Sequence, residues 1–484
     1  MLTIYRDLEH SVGQGSAVAD ADSKGAIKMS QAESSPVDAG QDVDPKTLRK
    51  AITGSAVGNA TEWYDYGVYA YVAVEIADNF FPDSGLVGTF LVFAVSFLLR
   101  PLGGLVWGPM GDRIGRQRVL AMTILLMAAA TFLVGVLPTY DDIGVWAVVL
   151  LVALRVVQGF STGGEYGGAA TFMAEYAPDK RRGFFGSFLE FGTIAGFTLA
   201  IAVVFVTESI IGAQAMTDWG WRIPFLIGGP IGLIGLYVRL KLDETPVFRE
   251  LEAQGNVESS AGNAIRDLFA NFWPTILVLM GMVAALNIAN YTLLAYMPTY
   301  LTETAGFESS QGDLLVIFGQ VAMLVFLPIA GAMSDRVGRK PMWAGSFIGL
   351  ILLSVPMFLL MSLGFWPAVL GFAVLGIVYV AQLATISATF PAMFPSQVRY
   401  GGMAIGYNIS TALFGGTALY VNDALIGAFD NNLMPAYYMI LASVVGLISL
   451  RFVVETAGAS CRGTQVPGTP ESEAEIAAMA ARSS

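Results

Sequence analysis

Residues 108–116 read GPMGDRIGR, and residues 331–339 read GAMSDRVGR. Both copies fit the pattern G-x-x-[GS]-D-R-[IV]-G-R, they lie 223 residues apart, and each follows a long apolar run. A phrase that recurs in matching surroundings indicates a duplicated chain whose two halves share one architecture.

The composition around the two copies is that of an integral membrane protein. Of 484 residues, 55% are hydrophobic and only 13% are charged, whereas a soluble domain carries about 25% charged residues. Segments of about 20 apolar residues can cross a bilayer, and their backbone polar groups must be satisfied internally, which favours helices over open strands. The sequence therefore predicts an all-α membrane protein with twelve transmembrane helices. They are expected at 53–80, 87–110, 118–138, 145–176, 184–206, 222–240, 271–301, 313–333, 342–362, 367–393, 403–427 and 434–454.

Basic residues mark the side of the membrane on which each connection lies, because Lys and Arg concentrate in cytoplasmic loops. They flank the first segment and fill alternate connections, including both copies of the repeated phrase, while acidic residues dominate the other loops. This bias predicts that both termini are cytoplasmic. A polar stretch divides the chain, so we expect an N-terminal tail at 1–48, bundles at 49–240 and 271–455, a linker at 241–270 and a C-terminal tail at 456–484.

Several strings carry a resemblance to a known family. The D-R-x-G-R phrase in both halves resembles the major facilitator superfamily. GNATEWYD at 58–65, RPLGG at 100–104, QGFSTGGEY at 158–166 and DWGWRIPF at 218–225 resemble its metabolite–proton symporter branch. AYMPTYL at 295–301 and PAMFP at 391–395 are most similar to the bacterial proline/glycine betaine symporters within that branch.

The resemblance implies a fold and an activity. The fold is two pseudo-symmetric six-helix bundles, and the activity is proton-coupled uptake of a compatible solute (proline, glycine betaine or ectoine) by alternating access. The implied partners are a small zwitterionic solute, a proton and the lipid bilayer, with the proton gradient as driving force and no cofactor or metal. It also implies a monomer in a bacterial inner membrane.

Two alternatives stay open at this point. A symporter of a carboxylate metabolite, of the α-ketoglutarate, citrate or shikimate type, would need unpaired basic residues in its cavity, and Arg100 and Arg155 keep that possibility open. A non-transporting membrane sensor would be expected to carry a signalling domain, for which neither tail is long enough. No ATPase motif is present, so an enzyme is not expected, and the net charge of −12 argues against nucleic acid binding.

Polar residues of the first half line up on helix faces. Asn59, Glu62, Asp65, Tyr66 and Tyr69 follow helical spacing on the first helix. Carboxylates that face lipid cost several kcal/mol, so this face is expected to point into the protein, where a carboxylate can carry a proton or pair with an arginine.

The fourth and fifth helices repeat the theme. Arg155, Gln158, Thr162 and Glu165 share one face of the fourth, and Glu190 on the fifth is a plausible partner for Arg155. A static ion network is the alternative interpretation. The predicted proton-coupling residues are Glu62, Asp65, Glu165 and Glu190.

The second half replaces these acids with neutral groups. A shift of 225 aligns Glu62 with Asn287 and Asp65 with Asn290, and a shift of 217 aligns Glu165 with Gln382 and Glu190 with Tyr407. We expect titratable groups in the first half and hydrogen bonds to substrate from the second, with aromatic rings suited to a quaternary ammonium. Bonding of helix to helix is the alternative. The predicted substrate-binding residues are Asn59, Trp63, Tyr66, Tyr69, Arg155, Asn287, Asn290, Tyr291, Tyr379, Gln382, Tyr407 and Asn408.

The repeated phrase itself is predicted to form a cytoplasmic gate. Its aspartates lie at helix ends, where a carboxylate can face the N-terminus of a neighbouring helix. The resemblance implies that this loop latches the cytoplasmic side when the carrier opens outward, whereas a purely topogenic role would explain only the arginines. The predicted gate residues are Gly108, Asp112, Arg113, Gly115, Arg116, Asp335, Arg336, Gly338 and Arg339.

Overall fold

The structure, a computed structural model, describes residues 45–114, 116–163, 166, 169–170, 173–174, 177–240, 270–395, 398–461 and 465–483. The predicted linker at 241–270 lies outside the described residues except for its last position. The end of the predicted N-terminal tail already belongs to the first helix, which begins at Pro45.

The predicted apolar segments are largely helical wherever they are described, but the third helix ends at Val134, and residues 135–138 at the predicted end of that segment are not helical. The long helices are α1 (Pro45–Tyr71, continued by Ala73–Phe80), α2 (Gly85–Leu98, continued by Arg100–Ile114), α3 (Arg116–Val134), α4 (Val145–Thr162), α5 (Arg182–Ile211), α6 (Arg222–Leu240), α7 (Trp273–Asn290), α8 (Ser309–Val337), α9 (Arg339–Met361), α10 (Phe365–Leu383), α11 (Arg399–Ser410, resumed at Ala418–Phe429) and α12 (Met434–Leu450). Short helical pieces lie at Tyr140–Ile143, Asp179–Arg181, Ala213–Ala215, Met216–Gly220, Ile386–Thr389 and Pro391–Met393, and α13 covers Pro470–Ser483.

Length and hydropathy identify the stretches that can cross a membrane. Within the described residues, 8 helices meet both criteria, or up to 9 if the bent pair Ala213–Gly220 and Arg222–Val238 is one span. The count of twelve spans therefore stays a prediction from the sequence.

The distribution of polarity is that of a protein dissolved in lipid. Large apolar side chains are turned outward, with Trp146 and Leu352 each 65% exposed, while Arg100, Arg155 and Glu190 are buried. A soluble protein does the reverse, because charged groups are almost never fully buried in water-soluble domains unless they are paired. The buried charged residues are therefore candidate functional residues.

Glycines set the closest approach between α1 and α5. A Cβ atom on Gly192 would collide with the backbone oxygen of Ala56, and one on Gly196 would collide with that of Ala60. Small residues of this kind let helix backbones touch in a membrane. The contact brings Asn59 of α1 within 2.7 Å of Thr193 on α5.

Two helices of the second half are interrupted by wider, π-helical turns. The turn at Tyr291–Tyr296 follows α7, and the turn at Thr411–Gly415 interrupts α11. A π-helical turn inserts one extra residue into the helical repeat, so it changes the direction of the side chains beyond it, and such turns are frequent at functional sites. Neither was predicted from the sequence.

Candidate functional site

A buried cavity between side chains of the two halves encloses about 220 Å³ of space that no atom occupies, only a small part of which is wide enough to admit a water molecule. The first half contributes Trp63 from α1 with Glu190 and Thr193 from α5, and the second half contributes polar and aromatic groups from α7, α10 and α11. The lining residues from the second half are Leu286, Asn287, Asn290, Tyr379, Leu383, Ile386 and Tyr407. Five of the twelve predicted substrate-binding residues thus line this cavity, together with one predicted proton-coupling residue, Glu190.

Hydroxyl groups hold the Glu190 carboxylate. Tyr166 donates to its Oε1 at 2.5 Å, and Thr193 donates to its Oε2 at 3.0 Å. Thr193 in turn accepts from Asn59 Nδ2 at 2.7 Å, and Asn59 Oδ1 accepts the indole N–H of Trp63 at 3.1 Å. A continuous hydrogen-bonded chain within the first half therefore links the indole of Trp63 to the carboxylate of Glu190.

The predicted pairing of Arg155 with Glu190 is wrong in this structure. Within the described residues, the guanidinium of Arg155 instead donates to Gln158 Oε1 at 2.8 Å and to Ser96 Oγ at 3.5 Å. It also lies 4.1 Å from the ring centroid of Tyr69. Glu190 instead accepts from the hydroxyl groups of Tyr166 and Thr193.

The rings of Tyr166 and Tyr407 join the two halves directly. They stack with centroids 4.4 Å apart and planes inclined by 14°. Asn408 Nδ2 adds a hydrogen bond of 3.2 Å to the backbone oxygen of Gly163, again from α11 to α4. Tyr166 was not among the predicted site residues, because nothing in its sequence position shows that it faces Tyr407.

The amides of the second half are oriented by neighbouring hydroxyls. Tyr379 donates to Asn290 Oδ1 at 2.6 Å, and Asn287 Nδ2 donates to Thr411 Oγ1 at 2.9 Å. Because the Tyr379 hydroxyl donates to the carbonyl oxygen of Asn290, the amide is held in an orientation in which its NH2 group can donate to a further acceptor.

The two α1 acids line a different cavity. A space of about 330 Å³ between α1, α3 and α6 has Glu62 and Asp65 in its wall. Thr131 donates to Asp65 Oδ1, and Gln158 Nε2 donates to the same oxygen at 2.9 Å. Oδ2 of Asp65 is buried with no hydrogen-bond partner among the described residues.

Arg100 and Arg155, the two arginines considered as substrate contacts, are engaged by protein groups. Arg100 Nη2 lies 3.4 Å from Glu62 Oε1, its Nε donates to Tyr66, and its guanidinium lies 4.6 Å from the Tyr66 ring centroid. Tyr66 and Tyr69, which were expected to meet the substrate, thus meet the protein's own cations. Neither arginine lines the cavity of about 220 Å³.

The remaining predicted residues lie behind the cavity wall. Asn59 orients Trp63, while Tyr291 packs against Trp63 with ring centroids 6.1 Å apart. The Tyr291 hydroxyl and both amide atoms of Gln382 are buried without a hydrogen-bond partner in the described part of the chain. Glu165 lies outside the described residues.

The second copy of the repeated phrase contacts the N-terminus of a helix of the first half. The two carboxylate oxygens of Asp335, near the end of α8, accept backbone N–H groups of Gly183 at 2.8 Å and Phe184 at 2.9 Å in the first turn of α5. Arg339 donates to the same carboxylate at 2.7 Å, and Gly338 turns the chain with φ +109°. Arg336 is exposed.

The first copy of the phrase is only partly described. Gly115 is outside the described residues, as are the side chains of Asp112, Arg113 and Arg116 and the surroundings of Gly108, although the backbones of these four residues belong to α2 and α3.

Two equivalent arginines hold the segment that follows α12, which the sequence did not predict. Arg182 in the first half donates to the backbone oxygen of Ala459 at 2.9 Å, and Arg399 in the second donates to that of Cys461 at 2.9 Å. Cys461 itself is buried.

Contacts between the halves also exist on the other side of the cavity. Tyr71 donates to the backbone oxygen of Leu294 at 2.6 Å and accepts from Gln320 at 2.8 Å, and Ser309 donates to Glu208 at 2.9 Å. The cavity is therefore occluded, with contacts between the halves toward both ends.

Comparison with known proteins identifies the class to which this arrangement belongs. Residues 56–421 match the model of the Major Facilitator Superfamily, so the chain belongs to that family and is a multi-pass membrane transporter rather than an enzyme. The fold is similar to that of the proton:xylose symporter XylE bound to 6-bromo-6-deoxy-D-glucose, with a TM-score of 0.70 at 18% identity over 90% of this chain and 100% of that chain. The inward-open conformation of XylE from E. coli gives 0.67 at 18% identity over 89% and 99%.

Curated relatives are similar over nearly the whole chain. The glycine betaine/proline/ectoine/pipecolic acid transporter OusA of Dickeya dadantii is 41% identical over 90% of this chain and 88% of its own length. The proline/betaine transporter of Escherichia coli K12 is 40% identical over 90% and 89%. The ectoine/proline transporter ProP of Corynebacterium glutamicum is 42% identical over 86% and 86%.

Proposed function

We propose that this chain takes up a small zwitterionic compatible solute, of the proline, glycine betaine or ectoine type, together with a proton. The observation that carries the proposal is the occluded cavity between the halves, whose wall combines aromatic rings, oriented amides and one carboxylate. Such a lining can meet both charges of a zwitterion without exposing either to lipid. The names of the curated relatives support the same substrate class.

The carboxylate-metabolite alternative has less support. A dicarboxylate needs a basic group in the binding cavity, but Arg100 is paired with Glu62 and Arg155 is bound to Gln158 and Ser96. Either arginine would have to leave its partners before it could receive a substrate.

The transport cycle that we propose is alternating access between the two halves. Glu62, Asp65 or Glu165 takes up a proton from outside, the solute enters the cavity, the outer contacts close and the inner contacts open. Asp65 suits this role because its Oδ2 has no hydrogen-bond partner in the described structure and lines a separate cavity. The inner contact is the gate formed by Asp335 and the N-terminus of α5.

The setting that we propose is a bacterial inner membrane, with both termini in the cytoplasm and the monomer as the working unit. The bias of Lys and Arg toward alternate connections supports this orientation.

The substrate is tested by counterflow in proteoliposomes with labelled proline, glycine betaine, ectoine, α-ketoglutarate and shikimate, with and without a pH gradient. We expect exchange of the zwitterions and their accumulation when the outside is acidic. Exchange of α-ketoglutarate or shikimate alone would overturn the proposed substrate class.

The proton carriers are tested by separating exchange from accumulation. Glu62→Gln, Asp65→Asn and Glu165→Gln, singly and combined, should retain counterflow but lose accumulation driven by the pH gradient wherever a carrier has been removed. If the combined variant still accumulates solute like the parent, the proposed carriers are wrong.

A further inference from the structure

Of the predicted proton-coupling acids that the structure describes, one has no cationic partner. Arg100 is paired with Glu62 at 3.4 Å. Arg155 reaches Asp65 through Gln158, which accepts from the arginine at 2.8 Å and donates to the aspartate at 2.9 Å. Two positive groups are thus matched with two negative groups.

Glu190 is the acid that remains. Its two oxygens accept from Tyr166 and Thr193, both neutral, and no Lys or Arg among the described residues forms an ion pair with it. It is only 2% exposed and lines the cavity of about 220 Å³. A buried charge of this kind is costly unless a cation meets it.

The cavity itself offers the setting in which such a cation would lie. The rings of Trp63, Tyr379 and Tyr407 line the same space as Glu190. Aromatic faces attract a cation that cannot donate hydrogen bonds, and the attraction is strongest where water is excluded. On the opposite wall, the Asn290 amide is turned by Tyr379 so that its NH2 group can donate to an anion.

We propose that Glu190 is the counter-charge for the cationic end of the solute, and that it orients the solute with its ammonium toward α5 and its carboxylate toward Asn290. This inference rests on the proposed function and assigns Glu190 to substrate selection, which leaves the proton to Glu62, Asp65 or Glu165. Glu190 acts here by direct contact with the substrate.

The test compares two ligands that differ in one charge. Glycine betaine and 3,3-dimethylbutanoate have the same shape, but the second carries a neutral carbon in place of the ammonium nitrogen. Equilibrium binding to the purified full chain is followed by Trp fluorescence, because Trp63 lines the cavity. Equilibrium binding at constant pH requires no proton gradient, so it can be measured apart from uphill uptake.

We expect the parent to bind glycine betaine at least about 30-fold more tightly than 3,3-dimethylbutanoate, as for the loss of one partner of a buried charge pair. In Glu190→Gln, which keeps the size of the side chain and one of its two acceptor oxygens, that ratio should fall at least tenfold. A smaller fall in the affinity ratio overturns the proposal. A Glu190→Gln variant that loses only uptake against a concentration gradient also overturns it, because Glu190 would then be a proton carrier.

Two further variants control the interpretation. Glu190→Asp retains the charge and should keep an affinity ratio of at least tenfold in favour of glycine betaine. If its ratio falls as far as that of Glu190→Gln, the charge is not the selecting feature. The same conclusion holds if only the aspartate variant folds and it lacks the preference for glycine betaine. Glu208→Gln makes the same change on the same helix, outside the cavity, and should leave the ratio unchanged; an equal fall there would also overturn the proposal. A parent that binds no zwitterion refutes the proposed function, whereas a parent that binds glycine betaine with a ratio insensitive to Glu190→Gln refutes this inference alone.

Discussion

Removing the charge of Asp335 should open the cytoplasmic side of the transporter. Its carboxylate accepts the backbone N–H groups of Gly183 at 2.8 Å and Phe184 at 2.9 Å, both in the first turn of α5. Asn at this position keeps one oxygen but places an NH2 group against the second N–H, so at least one hydrogen bond to a charged acceptor is lost. Such a bond contributes about 1.5–3 kcal/mol, which corresponds to a roughly 10- to 150-fold shift of the closed-to-open ratio.

The assay measures access to a reporter thiol from the cytoplasmic side. Ser387 faces Gly186 of α5 across the contact that the gate holds shut, and it is buried. With Cys461→Ser as background and Ser387→Cys as reporter, a membrane-impermeant maleimide applied to inside-out vesicles should react at least about tenfold faster after Asp335→Asn, the low end of that shift.

Arg336→Gln is the matched control, because Arg336 follows Asp335 in the same phrase but is exposed. It should change the labelling rate less than about twofold, since exposed charges contribute little. If Asp335→Asn leaves the labelling rate at the parental value, or if Arg336→Gln raises that rate equally, the Asp335 carboxylate does not hold the cytoplasmic side closed.

Three further changes test the packing and the site. Gly192→Ala forces a Cβ against the Ala56 backbone oxygen and should lower stability by about 1–3 kcal/mol in thermal unfolding. Gly345 has no atom near the position of an added Cβ, so Gly345→Ala should leave stability unchanged. Equal melting temperatures of the two variants would contradict the close α1–α5 contact. Tyr379→Phe leaves Asn290 Oδ1 without its donor and should weaken solute binding by about 1–3 kcal/mol. Tyr437 is an exposed tyrosine of α12, so Tyr437→Phe should leave solute binding unchanged. Unchanged affinity in Tyr379→Phe would mean that this hydrogen bond does not orient the Asn290 amide. Arg399→Lys cannot satisfy both the Pro391 and the Cys461 backbone oxygens. The native Cys461 thiol should therefore react at least about tenfold faster with maleimide, as expected for the loss of a charged hydrogen bond. A reaction rate equal to that of the parent would show that this arginine does not hold the segment after α12.

Much of the fold could be predicted from the chain alone. Apolar runs long enough for a bilayer define helices wherever they occur, because lipid leaves the backbone no other partner. The twin phrase placed Asp335 at a helix end, where the structure finds it against the first turn of α5.

The site could be predicted only as a set of helix faces. Helical spacing shows that Glu62 and Asp65 point inward, but not which neighbouring helix each one meets. The structure pairs Glu62 with Arg100 and turns Asp65 toward Thr131 and Gln158. The rotation of one helix against the next depends on contacts such as Gly192 on Ala56, which involve residues far apart in the chain.

Hydropathy and residue type alone indicate a duplicated membrane protein with acids in its first half and amides in its second. Which of those groups share a cavity depends on how the helices pack against one another. Glu190 and Tyr407, which occupy equivalent positions in the two halves, line the same space, whereas Asp65 and its equivalent Asn290 line different ones. Asp65 meets Thr131 and Gln158, whereas Asn290 meets Tyr379. These partners lie far away in the chain, so local spacing cannot reveal them.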